Sequence, residues 1–163
     1  MDEFARVSMK NLLNIVSDTL TPEPIKVVRA VPQAVLPSKA YPDDIGFDLT
    51  LINHEKRISD NLDMYDTGLI VKPPRGYYIE IVPRSSFGKS GFVLANSIGI
   101  IDPQYRGTLK VLLARVDESV PPFNLPYRGF QLILRKIESR PLQEVESLDM
   151  DTDRGSGGFG SSG

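Results

Sequence analysis

With 163 residues and a formal charge of −2, the chain has room for one ordinary domain and no bulk positive charge to hold nucleic acid or an anionic lipid surface. It has no cysteine and one histidine, His54, which removes disulfides, thiolate zinc sites and thiol nucleophiles and makes a Ser-His-Asp triad improbable.

The N-terminal stretch MDEFARVSMKNLLNIV starts acidic and has no long apolar run. It reads neither as a signal peptide nor as a membrane span, so an intracellular, soluble protein is expected. Met9, Leu12, Leu13, Val16 and Leu20 then recur at helical spacing behind Ser8, a candidate N-cap, and predict a short amphipathic helix over residues 8–20. Pro22 and Pro24 end it, because proline cannot continue a helix and favours extended backbone before it.

Beyond that point the period changes. IKVVRAVPQAVL, GFDLTLI, MYDTGLIVKP, GYYIEIVPR, GTLKVLLARV and GFQLILRKIE are short runs rich in Val, Ile, Leu, Tyr and Phe, bounded by Pro, Gly, Asp and Asn. Such runs predict an all-β sandwich or barrel. His54, in the polar run INHEKRISDN, is expected in a solvated loop. From Ser147 the chain turns acidic and then Gly/Ser-rich, which predicts an arm with too little apolar surface to pack a core. The expected organisation is an N-terminal helical extension over 1–24, a β-barrel domain over 25–148 and a C-terminal arm over 149–163.

The arm contains Gly155, Gly157 and Gly160 at G-x-G-x-x-G spacing. A doubly wound nucleotide fold needs helices between parallel strands, and no helix-length crossover is present. A Walker loop would need Lys after its last glycine, and a kinase loop a strand beyond Gly160. The tail nevertheless has the chemistry of a nucleotide lid: glycine amides for phosphate oxygens, the Arg154 fork, and a Phe159 face for a base. Its pocket must be built elsewhere.

Five stretches in order carry a resemblance: IGFDL at 45–49, PRSSFG at 83–88, NSIGIIDPQYRG at 96–107, RGFQLIL at 128–134 and the terminal RGSGGFGSSG. In these the chain resembles the trimeric dUTPase family, the deoxyuridine triphosphate nucleotidohydrolases, from about Ile25 to Gly163. The resemblance implies a jelly-roll fold with a flexible C-terminal arm, in a homotrimer whose active sites lie at subunit interfaces and are closed by the arm of a neighbouring chain. It implies Mg²⁺-dependent hydrolysis of dUTP to dUMP and pyrophosphate, limiting uracil incorporation into DNA and supplying dUMP for dTMP synthesis, in the cytoplasm or nucleus. No nucleic acid or membrane partner is implied.

The resemblance also assigns roles. Asp102 is the general base for the water that attacks the α-phosphorus, a task that asks for an ionised carboxylate, as aspartate is at neutral pH. Read alone, Asp102 could equally open the turn before Pro103, and Tyr105 could be ordinary strand packing. By resemblance the Tyr105 ring lies against the deoxyribose and leaves no room for a 2′-hydroxyl. Asn96, Ile98 and Gly99 fall where the family reads uracil. Arg84, Ser85 and Ser86 correspond to the α- and β-phosphate holders, and Gln131 to a contact with phosphate or the metal's water shell. Asp48 is expected to hold Mg²⁺ through water and to steady Arg84. In the arm, Arg154 meets the γ-phosphate, Phe159 stacks on uracil, and Gly160, Ser161 and Ser162 complete the phosphate contacts.

Two positions depart from the family pattern: Ile45 stands before Gly46, and Phe130 fills a small-residue position. Both bear on packing near the site rather than on a catalytic group. The alternatives are a dCTP deaminase-type enzyme on the same fold and a dUTPase-like protein with an added regulatory or protein-binding role.

Overall fold

The structure, a computed structural model, describes residues 22–122, 124–149 and 151–158. The helix expected over residues 8–20, with Ser8, and the tail residues Phe159, Gly160, Ser161 and Ser162 lie outside the described residues.

Among the described residues ten strands follow in chain order: β1 (Lys26–Arg29), β2 (Phe47–Leu51), β3 (Asn53–Ser59), β4 (Leu62–Asp66), β5 (Leu69–Lys72), β6 (Tyr77–Pro83), β7 (Phe92–Leu94), β8 (Gly99–Ile101), β9 (Lys110–Arg115) and β10 (Tyr127–Lys136). One short 3-10 helix spans Ser85–Lys89. The fold is all-β, as the period-2 runs predict. Two four-stranded antiparallel sheets, ordered β2-β10-β6-β8 and β3-β4-β9-β7, are joined by a two-stranded ribbon of β1 and β5. Among the described residues no helix is long and apolar enough to cross a membrane.

Alternation puts one face of each strand inside. Leu49, Leu51, Ile79, Ile81, Phe130 and Leu132 come from the first sheet, and Tyr65, Val111, Leu113, Phe92 and Leu94 from the second. Phe87 joins them from the 3-10 helix, its ring 4.7 Å from that of Phe130. That contact fixes the helix, and the serines at its start, against β10. Phe130 is fully buried, so an aromatic at this small-residue position is absorbed by the core; truncating it to Ala should cost about 3–5 kcal/mol. Ile45 is 76% exposed, so the other departure leaves the core untouched.

Several boundaries differ from the sequence expectation. His54 is not in a loop: it lies on β3, where its Nε2 is 2.8 Å from Asp63 Oδ1 and its ring meets Tyr65 edge-on. The reason is position, since β3 is an edge strand exposed on both faces, so it needs no apolar side and shows no alternation. The single run MYDTGLIVKP divides into β4 and β5, broken where Gly68 adopts φ +67°. In IKVVRAVPQAVL only Lys26–Arg29 pairs as a strand.

Candidate active site

Asp48, Gln131 and Val82 stand in one row across the first sheet, because Gln131 pairs with Asp48 on β2 and with Val82 on β6. Just past the end of β6, Arg84 turns back over this row. Its Nε lies 3.0 Å from Asp48 Oδ1, and its backbone N–H donates to Gly129 O at 2.9 Å. Arg128 approaches the other carboxylate oxygen at 3.6 Å. Two guanidinium groups therefore share Asp48, whose side chain is only 13% exposed, while Arg128 remains 60% exposed.

These groups surround a cleft of about 440 Å³ lined by Asp44, Gly46, Asp48, Arg84, Ser85 and Gln131 among others. Gly46 is required here by space: a Cβ at this position would stand 2.2 Å from Gln131 Oε1 and 2.9 Å from Gln131 Cβ. Ser85 and Ser86 open the 3-10 helix, whose first intrahelical bond runs from Phe87 N–H to Arg84 O. The preceding amides are thus directed away from the helix, as donors at any helix start are. At the far end of the same cleft, Arg135 donates to Glu80 at 2.8 Å and Tyr78 Oη donates to its other oxygen at 2.8 Å. Arg135 first, and then the tyrosine hydroxyl, hold the Glu80 carboxyl below its ordinary pKa.

The third motif forms a separate unit. Asn96 and Ile98 are exposed at the tip between β7 and β8, and Gly99 is buried at the start of β8. Between them Ser97 adopts φ +61°, a conformation that costs an L-residue about 1–2 kcal/mol, and Ile98 N–H donates to Asn96 O at 2.6 Å. β8 is an edge strand, so one row of its backbone groups has no neighbouring strand among the described residues. After β8, Asp102-Pro103-Gln104-Tyr105 closes a turn through Tyr105 N–H to Asp102 O at 3.0 Å. Asp102 is thus both the first residue of a turn and an exposed carboxylate with no hydrogen bond or ion pair to another described residue. Asp102 and Tyr105 line a cavity of about 140 Å³ with Ile100, Ile101 and Lys110.

The two units are not brought together within one chain. In the β6–β8 register Ile101 opposes Ile79, which places Asp102 level with Tyr78, and Arg84 lies six residues further along. At about 3.3 Å per residue the separation is roughly 20 Å. Arg154 bonds to neither unit: its Nε donates to Gly157 O at 3.0 Å, and residues 138–158 make no hydrogen bond or ion pair with the sheets among the described residues.

No cluster of three or more His, Asp or Glu side chains suited to a metal occurs among the described residues. With both Asp48 oxygens facing guanidinium groups and no all-protein carboxylate cage among the described residues, the residues fit a cation that arrives with phosphate and water ligands. Two contributors were not singled out from sequence. Arg128 opens the fourth motif, and its spacing could have marked it; Ser97 had no signal, because its unusual φ is invisible in a serine codon.

A family model described as dUTPase matches residues 33–163. Among curated proteins, the deoxyuridine 5′-triphosphate nucleotidohydrolase of Rhodococcus erythropolis (strain PR4 / NBRC 100887) is 37% identical over 141 residues, covering 85% of this chain and 85% of that protein. That of Cutibacterium acnes (strain DSM 16379 / KPA171202) is 38% identical over 136 residues, covering 82% and 88%. Among solved structures, the dUTPase of Staphylococcus bacteriophage 80alpha with dUPNHPP superposes with a TM-score of 0.66 at 23% identity, over 86% of this chain and 99% of that one. A mutant dUTPase from phage phi11 of S. aureus, described with a structural Mg(II) ion, gives 0.63 at 18% identity over 78% and 99%. At these identities the two structures bear on the fold alone.

Proposed function

The chain belongs to the dUTPase family, and from that premise we propose that it is a dUTP diphosphatase, hydrolysing dUTP to dUMP and pyrophosphate by attack of water on the α-phosphorus. The observation that carries the reading is the cleft in which residues from three separate motifs, Asp48, Arg84 with Ser85, and Gln131, converge on one polar space of about 440 Å³.

In this reading Arg84 supplies a planar charged fork, held in place by Asp48, while Ser85 and Ser86 offer hydroxyls and the amides at the helix start to the α- and β-phosphates. Gln131 adds an amide in the space that Gly46 leaves. Asn96, Ile98 and Gly99 meet the uracil edge, where a mismatched donor or acceptor left buried costs about 1–3 kcal/mol and disfavours cytosine. Tyr105 covers the sugar. Asp102 accepts the proton of the attacking water, and its freedom from other partners leaves both oxygens for that water.

Because Asp102 and Arg84 stand roughly 20 Å apart in one chain, one site needs Asp102 from one subunit and Arg84 from another. A homotrimer with three shared sites meets that need and closes its symmetry. The arm, through Arg154, Phe159, Gly160, Ser161 and Ser162, would cover the site of a neighbouring chain. Mg²⁺ would be carried by the triphosphate, with Asp48 and Gln131 near its water shell; when bound it neutralises phosphate charge and orders the chain of phosphates. A substrate drawn from the deoxynucleotide pool supports an intracellular location, cytoplasmic or nuclear.

The test is pyrophosphate release measured with dUTP, dCTP, dTTP and UTP side by side. Rapid release from dUTP alone is expected. Ammonia from dCTP, or inorganic phosphate in place of pyrophosphate, would overturn the reading.

A further inference from the structure

Tyr105 is held from behind by a network that no dUTP contact explains. Its ring lies over Gly107, where a Cβ would stand 2.3 Å from the hydroxyl oxygen and 2.6 Å from the adjacent ring carbon. At the tip of the ring, Tyr105 Oη donates to Thr108 O at 3.1 Å. The position of the ring therefore depends on where residue 108 is held.

Thr108 is fastened to the end of β4. Its hydroxyl donates to Asp66 Oδ2 at 2.8 Å, while Asp66 Oδ1 accepts the Gly68 N–H at 2.8 Å, a local turn that orients the carboxylate. Lys110, paired with Glu55, lies 3.5 Å from the same Asp66 oxygen that receives the threonine. Between these residues Leu109 is bound on both sides: its carbonyl accepts from Thr67 N–H and Thr67 Oγ1, and its N–H donates to Leu69 O. Asp66 is nearly enclosed, at 14% side-chain exposure, so the Thr108 bond is sheltered from water. Tyr105 itself stays 42% exposed and lines the cavity it shares with Asp102.

We propose that Asp66, acting through the Thr108 hydroxyl, is a positioning residue for sugar selectivity: it fixes the carbonyl that anchors the Tyr105 hydroxyl and so sets how closely the ring can press on the sugar. The inference rests on the assignment of Tyr105 to the deoxyribose. A ring held at both ends excludes a 2′-hydroxyl by contact, and a ring free to tilt by a fraction of an ångström admits it. The readout is therefore the ratio of kcat/KM for dUTP to kcat/KM for UTP, not dUTP turnover alone.

The experiment compares Thr108→Val, Thr108→Ser, Asp66→Asn and Tyr105→Ala in the full-length protein, with thermal melts to establish that each is folded. Thr108→Val keeps the shape and removes the donor, and is expected to lower the dUTP/UTP ratio about tenfold, mainly through a lower KM for UTP. Thr108→Ser restores the hydroxyl and should return the ratio to within about twofold of the parent. Asp66→Asn should move the ratio in the same direction as Thr108→Val. A Thr108→Val enzyme that is folded and keeps the parental ratio, while Tyr105→Ala loses it, overturns the proposal and leaves the Tyr105 assignment standing. A Tyr105→Ala enzyme that keeps the ratio overturns that assignment, and the proposal with it. Should Asp66→Asn fail to fold, the Val and Ser pair at position 108 still decides.

Discussion

A pair of inactive variants tests whether the two halves of the site come from different chains. Arg84→Ala removes the phosphate fork from one half, and Asp102→Asn removes the proton acceptor from the other while keeping its shape. Each variant alone should fall below about a hundredth of the turnover of the unmutated protein, since either loss removes a group expected to contribute at least about 2.7 kcal/mol to the transition state. The register sets roughly 20 Å between the two positions in one chain, so neither can complement itself. In a randomly mixed trimer, a site is whole when the chain giving Asp102 is the Arg84→Ala variant and the chain giving Arg84 is the Asp102→Asn variant. With a fraction x of one variant, the share of whole sites is x(1 − x), which peaks near a quarter at equal mixing. The assay is co-refolding from denaturant at several ratios, light scattering to establish assembly, then pyrophosphate release from dUTP. Mixtures that assemble and remain at the level of the single variants at every ratio would refute the reasoning, as would full activity from a protein that light scattering finds monomeric.

Gly46→Ala should destabilise the fold by about 1–3 kcal/mol and lower kcat/KM for dUTP, because the new Cβ enters the space of the Gln131 side chain. In a Gln131→Ala background two of the three close atoms are gone, so denaturant melts should show a smaller penalty for the same change. Glu80 is held below the ordinary carboxylate range by Arg135 and Tyr78, so the stability it contributes is present above its ordinary, unfolded pKa and is lost as pH falls through the lower folded value. Stability measured from pH 7 down to 3 should therefore decline more steeply in the parent than in Glu80→Gln, the two converging at the acid end. A chain truncated after Asp153 should fold and assemble like the parent, since residues 138–158 make no hydrogen bond or ion pair with the sheets among the described residues, yet lose most dUTP hydrolysis. Light scattering and pyrophosphate release on the same sample check both halves of that expectation.

Where strands bury one face, their alternation made them visible in sequence. β6, β9 and β10 read clearly because Ile79 and Ile81, Val111 and Leu113, and Phe130 and Leu132 occupy alternate positions. β3 has no such signal, because an edge strand exposed on both faces obeys no alternation, and His54 lies on it. β7 and β8 are three residues each, too short to show a period.

The candidate site was legible in sequence only through the five ordered motifs of the resemblance, since Asp102 and Tyr105 read alone are an ordinary Pro-containing turn. It was illegible where a role comes from the sheet register. Nothing local to Asp66 points to Tyr105, 39 positions away; the link exists because β4 pairs Asp66 with Lys110 and so lays the end of one strand against the start of another. The same register explains why motif order along the chain gave no hint of distance in space. PRSSFG and IGFDL are about forty residues apart and share a cleft, whereas PRSSFG and GIIDPQY are under twenty apart and stand at opposite ends of β6. An antiparallel return strand carries the chain back along its neighbour, so a short sequence interval between strand ends gives no assurance of a short distance. On the proposed function, a catalytic carboxylate placed at the far end of such a strand would meet its phosphate clamp through another copy of the chain, which would make assembly a condition of activity rather than an addition to it.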